Sequence, residues 1–566
     1  MVSVAAIACL PALVGAAEPM DHLNVQEPAR PGYLGAPASD SFRLPPITPS
    51  TVRPVVPSMA RPDAKPAQTV RIHRVVFQGN AAISTDELNG LVATYLDRDL
   101  DDADLEELRL QITRHYIERG YINSGAQYDD SPVSGNELKV RLVEGHLKTI
   151  RLRGMERLAD DYVVSRLAPD PRAVFNMDQM RERFQRLLDD PLFKRMNARL
   201  LPGDRPGEAV LDVDVVRAVP YQLSVFANNY RPPSIGENVL GISGGLRNLT
   251  GYGDYLELSA QRSSQTAHST RTSLGWQMPL NAVGTQLSVQ LDHGVSSVVE
   301  EPLRDLAIQS SLDSKELGVR QTLVETLNHR LSVGLNRVDR ENQTMLAGVP
   351  FSFVAAEPTG LVKVSAWRFW QEYSFRTERQ VLTLRSTLTS AHNNLQQVNG
   401  LPVGAAVPAD QNYKVWLGQA QYARRVLDNG AQFIWRATLQ QTSDRLLPLD
   451  RMSIGGIYTV RGYRENELLR DKGRIFNIEF DYPLMRKSEQ GIDLALIPFY
   501  DIGLGQNQAE PADTISSVGL ATRLRWRGIR LDVVTAKRLR HPSYVRSSGG
   551  SLQDRAIHVQ LAYDFF

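Results

Sequence analysis

From Tyr221 to the C-terminus, apolar and polar residues alternate with a period of two, in about sixteen segments such as Ile475–Tyr482 and Ala556–Phe565. Further segments of this kind are Gly253–Arg262, Thr270–Gln277, Gln286–Gln290 and Arg379–Leu388. This period places successive side chains on opposite faces of a strand. Apolar-out, polar-in alternation over many strands is typical of an outer-membrane β-barrel. A β-sandwich or a propeller shares the period but rarely continues it so far.

Charge and hydropathy exclude two other classes of protein. The chain has 64 Lys and Arg against 63 Asp and Glu, a net charge of +1, which argues against a general nucleic-acid binder. Mean hydropathy is −0.28, and beyond residue 17 there is no apolar run of about 18–20 residues. The sequence therefore excludes a helical membrane protein, whereas alternating barrel strands average out on a hydropathy scale.

The N-terminal part of the chain contains two segments without barrel alternation. Residues 1–17 are short, apolar and end in small residues, which predicts a signal peptide. Cys9 is the only cysteine, and a lipoprotein signal around it is the alternative; after signal cleavage, the mature chain needs no disulfide. Residues 18–69 are rich in proline and predict an extended linker.

Two small modules, at residues 70–146 and 147–218, repeat the order β-α-α-β-β. In the first module, Ser84 is predicted to cap a helix with Glu87 as the capping-box partner. Its predicted elements are a strand at Val70–Phe77, a second helix at Asp102–Arg119, and strands around Tyr121–Tyr128 and Glu137–Glu144. The second module has predicted strands at Leu147–Arg153, Phe193–Leu201 and Ala209–Val216, and helices at Ala159–Leu167 and Met177–Asp189. Neither module contains a cluster of catalytic or metal-ligating residues.

Motifs typical of enzymes do not fit their surroundings. Ser243 lies in a G-x-S-x-G pattern, but within an alternating strand rather than a strand-turn-helix elbow. No zinc-protease motif or phosphate loop occurs, so no cofactor, metal or catalytic site is expected. The aromatic residues Trp367, Trp370 and Tyr373 are predicted to belong to the interfacial girdle of a barrel rather than to a sugar or base platform.

Several motifs resemble those of the two-partner secretion translocators, the TpsB proteins of the ShlB/FhaC/HecB type. The residues 455–463, Gly-Gly-Ile-Tyr-Thr-Val-Arg-Gly-Tyr, resemble the VRGY motif that this family carries in the loop between the eleventh and twelfth barrel strands. Phe499-Tyr500-Asp501-Ile502-Gly503 is similar to the family motif of the thirteenth strand. The resemblance implies a mainly β fold: two small α+β POTRA domains, residues 70–146 and 147–218, before a 16-stranded transmembrane barrel at 219–566.

In this family the loop, here around residues 443–473, folds back into the lumen. The resemblance implies that Val460, Arg461, Gly462 and Tyr463 form its motif and that Asp501 is the partner of Arg461 on the barrel wall. Independently, the strand Ile492–Gly503 places Asp501 on the face opposite its apolar residues, where a lumen-facing carboxylate avoids lipid. By the same parity, Glu479 and Asp481 face the lumen and are interpreted as lining residues rather than further loop partners.

The resemblance further implies an outer-membrane translocator whose periplasmic modules recognise a secreted exoprotein: an adhesin, a haemolysin or a contact-dependent toxin. Other expected partners are outer-membrane lipid and the barrel assembly machinery, which reads a terminal aromatic residue; Phe565 has lipid-facing parity and Phe566 is an extra residue. In relatives an N-terminal helix plugs the barrel, whereas residues 18–29 contain two prolines. The alternatives for function are a factor that assembles other barrels and a passive, porin-like channel.

Overall fold

The computed structural model describes residues 69–129, 132–264, 269–353, 357, 359–396, 407–486, 491–542 and 550–565. They belong to two compact units, with the boundary between Val219 and Pro220. The predicted signal peptide, residues 18–68 of the predicted linker and Phe566 lie outside the described residues. Among the described helices, none combines the length and the apolar character that a bilayer crossing requires.

The first unit begins with a module of six short strands and two helices. Strands β1 to β6 are Val70–Arg71, Arg74–Gln78, Asp99–Leu100, Gly125–Gln127, Val133–Ser134 and Glu137–Val143; helices α1 and α2 are Thr85–Val92 and Asp102–Glu118, with a 3-10 turn at Ala93–Tyr95. β6 is central, parallel to β2 and antiparallel to β4 and β5. The helices bury Leu88, Leu108, Ile112 and Tyr116 in the core with Val140. Burial and the hydrogen bond to Glu144 raise the pKa of Tyr116, so its hydroxyl stays protonated.

Two details of this module differ from the prediction. The predicted first strand is divided into β1, which pairs with β3, and β2, which joins the main sheet. Ser84 does cap α1, because its hydroxyl accepts from the N–H of Glu87 at 3.3 Å. The Glu87 carboxylate, however, contacts His115, 2.6 Å away, and Arg119, which lie on α2 and at its end. The reciprocal capping box occurs instead at the start of α2, between Asp101 and Asp104.

The second module follows the predicted order closely. Its elements are β7 (His146–Arg153), α3 (Asp160–Leu167), α4 (Met177–Leu188), β8 (Phe193–Pro202) and β9 (Glu208–Arg217). The sheet order is β7-β9-β8, with β7 parallel and β8 antiparallel to β9. The side-chain amides of Asn123 and Asn176 donate across the junction of the modules, to the carbonyls of Gly207 and Arg119, each at 2.9 Å.

The second unit is a closed antiparallel barrel. Its sixteen strands are β10 (Tyr221–Asn228), β11 (Val239–Arg247), β12 (Tyr255–Ser263), β13 (Thr270–Pro279), β14 (Thr285–Ser297), β15 (Ile308–Glu325), β16 (His329–Leu346), β18 (Leu361–Arg376), β19 (Gln380–Asn393), β20 (Asn412–Arg425), β21 (Gln432–Gln441), β24 (Lys472–Met485), β25 (Ile492–Gln506), β26 (Asp513–Trp526), β27 (Ile529–Arg540) and β28 (Ile557–Asp564). Three shorter strands lie between them: β17 (Val349–Pro350), β22 (Met452–Ile454) and β23 (Leu468–Arg470). Short 3-10 turns occur at Pro233–Ile235 and Arg304–Leu306.

Pairing of β10 with β28 closes the cylinder, and every other neighbouring pair is also antiparallel. The predicted fold class is therefore confirmed. Strand length varies around the wall, from 8 residues in β10 to 18 in both β15 and β16. Side chains alternate as predicted: on β24, Ile478 points outward with 42% of its surface exposed, whereas Glu479 points inward with 3% exposed.

The alternation of side chains along each strand also shows whether the remaining sequence motifs can form the sites that they resemble. Ser243 lies in the middle of β11, paired with Ser224 and Ser259 on the neighbouring strands, so it is not on a nucleophile elbow. On β18, Trp367 faces outward and Tyr373 shares its parity. The prediction was wrong for Trp370, which has the opposite parity: its side chain is buried, and its indole N–H donates to Asn336 Oδ1 at 2.9 Å.

Candidate functional site: a hairpin inside the barrel

The segment between β21 and β24 forms a hairpin of β22 and β23, in which Met452 pairs with Arg470 and Ile454 pairs with Leu468. It lies within the range 443–473 that the sequence predicted for the in-folded loop. Its apolar side chains Ile454, Val460, Tyr463 and Leu468 are almost completely buried. They pack with Ile475 of β24 and Ile515 of β26, whose side chains belong to the inner face of the wall. The hairpin therefore occupies the lumen.

Arg461 is held at the tip of this hairpin by Asp501 of β25. Its Nε donates to Asp501 Oδ2 and its Nη2 to Asp501 Oδ1, both at 2.7 Å, in a two-pronged pair. The backbone N–H of Arg461 also donates to Oδ2, at 3.0 Å. Below the guanidinium, the ring of Phe499 has its centre 3.6 Å from the Arg461 Cζ. Both charges are removed from solvent, where such a pair is strong once formed.

Glu479 does more than line the lumen, contrary to the interpretation from the sequence. Its carboxylate lies 2.6 Å from Arg461 Nη1 and also binds Arg436 of β21. Two neighbouring strands, β24 and β25, therefore each contribute a carboxylate to the loop arginine. Asp481 lies on the same inner face of β24, and Arg523 Nη1 on the wall lies 3.8 Å from its carboxylate.

The residues on either side of Arg461 fit the hairpin tip to the wall. Gly462 has φ 89°, a backbone conformation that glycine adopts without strain, and a Cβ there would lie 2.6 Å from that of Ala536. Tyr463 is buried, and its hydroxyl donates to the carbonyl of Ser516 at 2.8 Å and contacts that of Arg540. Val460 is fully buried in the apolar cluster of the hairpin.

Arg464 and Arg470 of the loop carry further ion pairs that sequence reasoning missed. Arg464 binds both oxygens of Asp554, at 2.5 and 2.8 Å, and Glu300 at 2.7 Å. Arg470 of β23 binds Asp513 at the start of β26. Asp554 and Glu300 lie in loops between strands, where no periodicity indicates the direction of a side chain. Arg464 follows directly after the VRGY motif, which was the only available signal.

The barrel wall has glycine at the positions of β25 where the hairpin lies against it. A Cβ at Gly503 of β25 would be 2.3 Å from Ile454 Cγ2 and 2.9 Å from Val460 Cγ2. A Cβ at Gly505 would be 2.5 Å from Arg470 Cγ. Only hydrogen there allows such a close approach. The site is thus a complementary seat for a loop, held by charge-assisted hydrogen bonds that can break and reform without covalent chemistry.

Sequence profiles of two families match this chain. The POTRA domain of ShlB type matches residues 70–145. The profile described as "Haemolysin secretion/activation protein ShlB/FhaC/HecB" matches residues 207–526, more than half of the chain. The residues that the second profile matches include the hairpin, Glu479 and Asp501.

Curated relatives and solved structures agree with these profiles. The chain is 23% identical over 422 residues to the outer membrane transporter CdiB of Dickeya dadantii (strain 3937), covering 71% of each protein. It is 22% identical over 442 residues to the heme/hemopexin transporter protein HuxB of Haemophilus influenzae, covering 76% of this chain and 75% of HuxB. The relatives are transporters rather than enzymes.

Two solved structures share the fold. CdiB from Escherichia coli has a TM-score of 0.67 at 18% identity and covers 98% of this chain and 97% of that one. BamA from Haemophilus ducreyi lacking POTRA domains 1–3 has a TM-score of 0.51 at 12% identity, over 88% of this chain and 100% of that one. The assembly-factor alternative therefore has the more distant match. The resemblance seen in the sequence is confirmed, with its translocator function and outer-membrane location: the chain belongs to the ShlB/FhaC/HecB family of haemolysin secretion/activation proteins.

Proposed function

We propose that this protein captures a secreted partner exoprotein in the periplasm through residues 70–218 and releases it outside through the barrel, with the hairpin leaving its seat during passage. The observation that supports this mechanism is the buried cluster of Arg461, Asp501 and Glu479 in the lumen. A seated hairpin obstructs the path of a polypeptide, and the cluster determines how firmly it is seated. No covalent step takes part, so the protein acts as a transporter and not as an enzyme.

The domain limits of this mechanism follow the sequence. Residues 1–17 act as a signal peptide, 18–69 as a tether, 70–146 and 147–218 as the two capture modules, and 219–566 as the conducting barrel. An adhesin, a haemolysin or a contact-dependent toxin is the class of exoprotein proposed. The barrel assembly machinery inserts the chain into outer-membrane lipid and reads the end of its last strand, directly after which Phe565 is exposed.

Capture is proposed to occur by β-augmentation, in which an extended segment adds a strand to a sheet edge. The second module has edge strands at β7 and β8, and β8 is 10 residues long with mostly exposed side chains. An edge strand presents backbone N–H and C=O groups that a partner strand can pair with, largely independently of sequence.

Replacing the loop arginine tests the mechanism directly. Arg461→Ala leaves the buried Asp501 without its counter-charge and Glu479 with Arg436 alone, and breaking such a buried pair costs about 3–5 kcal/mol. We expect secretion of the exoprotein, sought as a large secreted protein encoded beside this chain, to fall at least about tenfold. Arg337→Ala is the matched control, because Arg337 pairs with Asp339 away from the hairpin. Wild-type secretion by Arg461→Ala at equal abundance in the membrane would contradict the assignment of the loop.

Deleting residues 70–145 tests the capture step. Because the barrel belongs to a separate compact unit, we expect the truncated chain to insert as a folded barrel, detected by heat-modifiable migration on gels. Binding of the exoprotein's N-terminal secretion segment should be lost, as measured by pull-down from detergent extracts. The double variant Asn123→Ala and Asn176→Ala, which removes only side chains at the module junction, shows whether module alignment alone matters. Undiminished binding by the truncated chain would exclude a role for the first module.

A further inference from the structure

A second buried ion pair holds the same loop at a different place. Asp450, two residues before β22, accepts from Arg340 Nη2 at both carboxylate oxygens, at 2.7 and 2.6 Å. The hydroxyl of Tyr413 donates to Asp450 Oδ2 at 2.5 Å. Arg340 and Tyr413 are 2% and 1% exposed, so this contact is as deeply buried as the Arg461 cluster.

This contact uses a separate stretch of the wall. Arg340 is on β16 and Tyr413 on β20, the seventh and tenth strands of the barrel, whereas the carboxylates that bind Arg461 are on the twelfth and thirteenth. The loop therefore spans the lumen between two seats. We name residues 446–451 the stem of the loop and residues 455–467 its tip.

Apolar contacts and hydrogen bonds fix the stem as well. Leu446 and Leu447 are buried in a cluster with Val364 of β18 and Val415 of β20. The side-chain amide of Gln440 donates to the carbonyl of Asp450 at 3.1 Å. The stem is thus attached to the wall by its own core, independently of the tip.

Asp450 supplies the carboxylate that pairs with the buried guanidinium of Arg340. Among the described residues, its Nε and Nη1 have no hydrogen-bond partner, and its ion pair is with Asp450. Arg340 also lines a polar cavity of about 440 Å³ beside the loop. A buried guanidinium without its carboxylate is costly, but one facing a water-filled lumen is hydrated. Loss of Asp450 therefore disfavours the seated stem more than the released one.

We propose that Arg340, Tyr413 and Asp450 form a stem anchor, a set of positioning residues that holds the loop in the lumen, and that the channel opens fully only when both the stem anchor and the Arg461 tip anchor release. This inference rests on the proposed function, in which the loop moves. It adds that unseating the tip alone opens the channel only partly.

The test measures how often the loop leaves its seat. The full chain carries Cys9→Ser and Leu447→Cys, since Cys9 is the only native cysteine and Leu447 of the stem is buried while the stem is seated. The rate of labelling by a membrane-impermeant maleimide on intact cells then reports release. Asp450→Asn, Arg340→Gln and Tyr413→Phe are compared with the matched control Arg337→Gln on the same strand, and Asp450→Glu is the conservative rescue.

We expect about tenfold faster labelling in Asp450→Asn and Arg340→Gln, since a buried charged hydrogen bond is lost. Tyr413→Phe should increase the rate by a smaller factor, and Asp450→Glu should return it toward wild type. Arg461→Ala alone should leave the labelling rate of the stem near wild type, because the stem and the tip are held at separate sites. The conductance of the pore in planar bilayers should be highest when Asp450→Asn is combined with Arg461→Ala, because both anchors are then lost.

Wild-type labelling in Asp450→Asn with a folded barrel would overturn the stem anchor. If Asp450→Asn does not insert, Tyr413→Phe decides, because it removes only a hydroxyl; an unchanged rate there would equally overturn the proposal. Neither readout needs the exoprotein. A chain that labels as expected but does not secrete would contradict the proposed function alone, and one that secretes with unchanged labelling would contradict the anchor alone.

Discussion

The two sides of the barrel lumen differ in what lies against them. On β24 to β28 the inner face carries Ile497, Phe499 and Val534, packed with the tip of the hairpin, beside the carboxylates that pair with Arg461. On β12 to β15 the inner face is polar and lines the cavity of about 440 Å³, with charged residues that include Glu257, Arg271, Asp292 and Glu316. Both sides have the alternation of a barrel strand.

The contrast shows that polar side chains are favoured on an inner face because water reaches it, and not merely because the face lines the lumen. Where water reaches the inner face, polar side chains are favoured because burying them unpaired is costly. Where a loop replaces water, apolar side chains and glycine give a tighter fit. The inner face of each strand therefore records whether a loop or solvent lies against it in the seated state.

We call the side of the lumen that the hairpin covers the dry side, and the side that lines the polar cavity the wet side. The largest expected effect comes from adding a larger side chain on the dry side. In Gly503→Leu the new side chain overlaps Ile454, and overpacking costs about 1–3 kcal/mol or more. We expect the hairpin to be displaced and the channel to open about a hundredfold more often, measured as conductance in planar bilayers. The matched variant on the wet side is Gly275→Leu, where the nearest atom is the flexible Gln290 Oε1; it should lower the conductance. Equal behaviour of the two variants would show that the sides do not differ.

An intermediate effect is expected at Phe499, which lies under the guanidinium of Arg461 on the dry side. Phe499→Leu keeps the apolar volume nearly filled but removes a cation–π contact of about 2 kcal/mol. The frequency of channel opening in single-channel records should rise by up to about thirtyfold. Phe476→Leu, on the outer face of β24, is the control and should leave the opening frequency unchanged.

The smallest effect is expected on the wet side, where charges are screened by water and salt. Glu257→Gln removes one negative charge from the cavity lining and should change the ratio of cation to anion permeability by less than about twofold. Reversal potentials measured under a salt gradient provide the test, with Glu341→Gln as the control. A large shift in Glu257→Gln would place the main ion path closer to this carboxylate than the geometry indicates.

Strand parity explains how much of the site could be predicted. From the sequence alone it places Asp501 and Glu479 in the lumen, because lipid excludes their charge from the outer face. Applied to Trp370, the same parity would have corrected the girdle assignment, since Trp370 lies three positions after Trp367 and therefore faces the opposite side of the strand. The fold was predictable for the same reason: the alternation is continuous and the two modules repeat.

The partners that lie in loops were not predictable in this way. Asp450, Asp554 and Glu300 contact loop or wall arginines across long distances in sequence, and an irregular backbone has no period from which a direction follows. The contact between Arg461 and Glu479 was missed for a different reason. Parity gives the side of the wall a residue faces, but not how far a loop reaches toward it.

The unequal strands give the rim of the barrel a high side and a low side. Eighteen residues at about 3.4 Å each span roughly 60 Å, which, even when tilted, is taller than the apolar belt of about 25 Å. β15 and β16 therefore stand above the lipid as a projecting sheet, whereas β10, with 8 residues, does not. A polypeptide that leaves the barrel at this rim would have the projecting sheet on one side and water on the other. The sheet would therefore direct the polypeptide toward the low side of the rim.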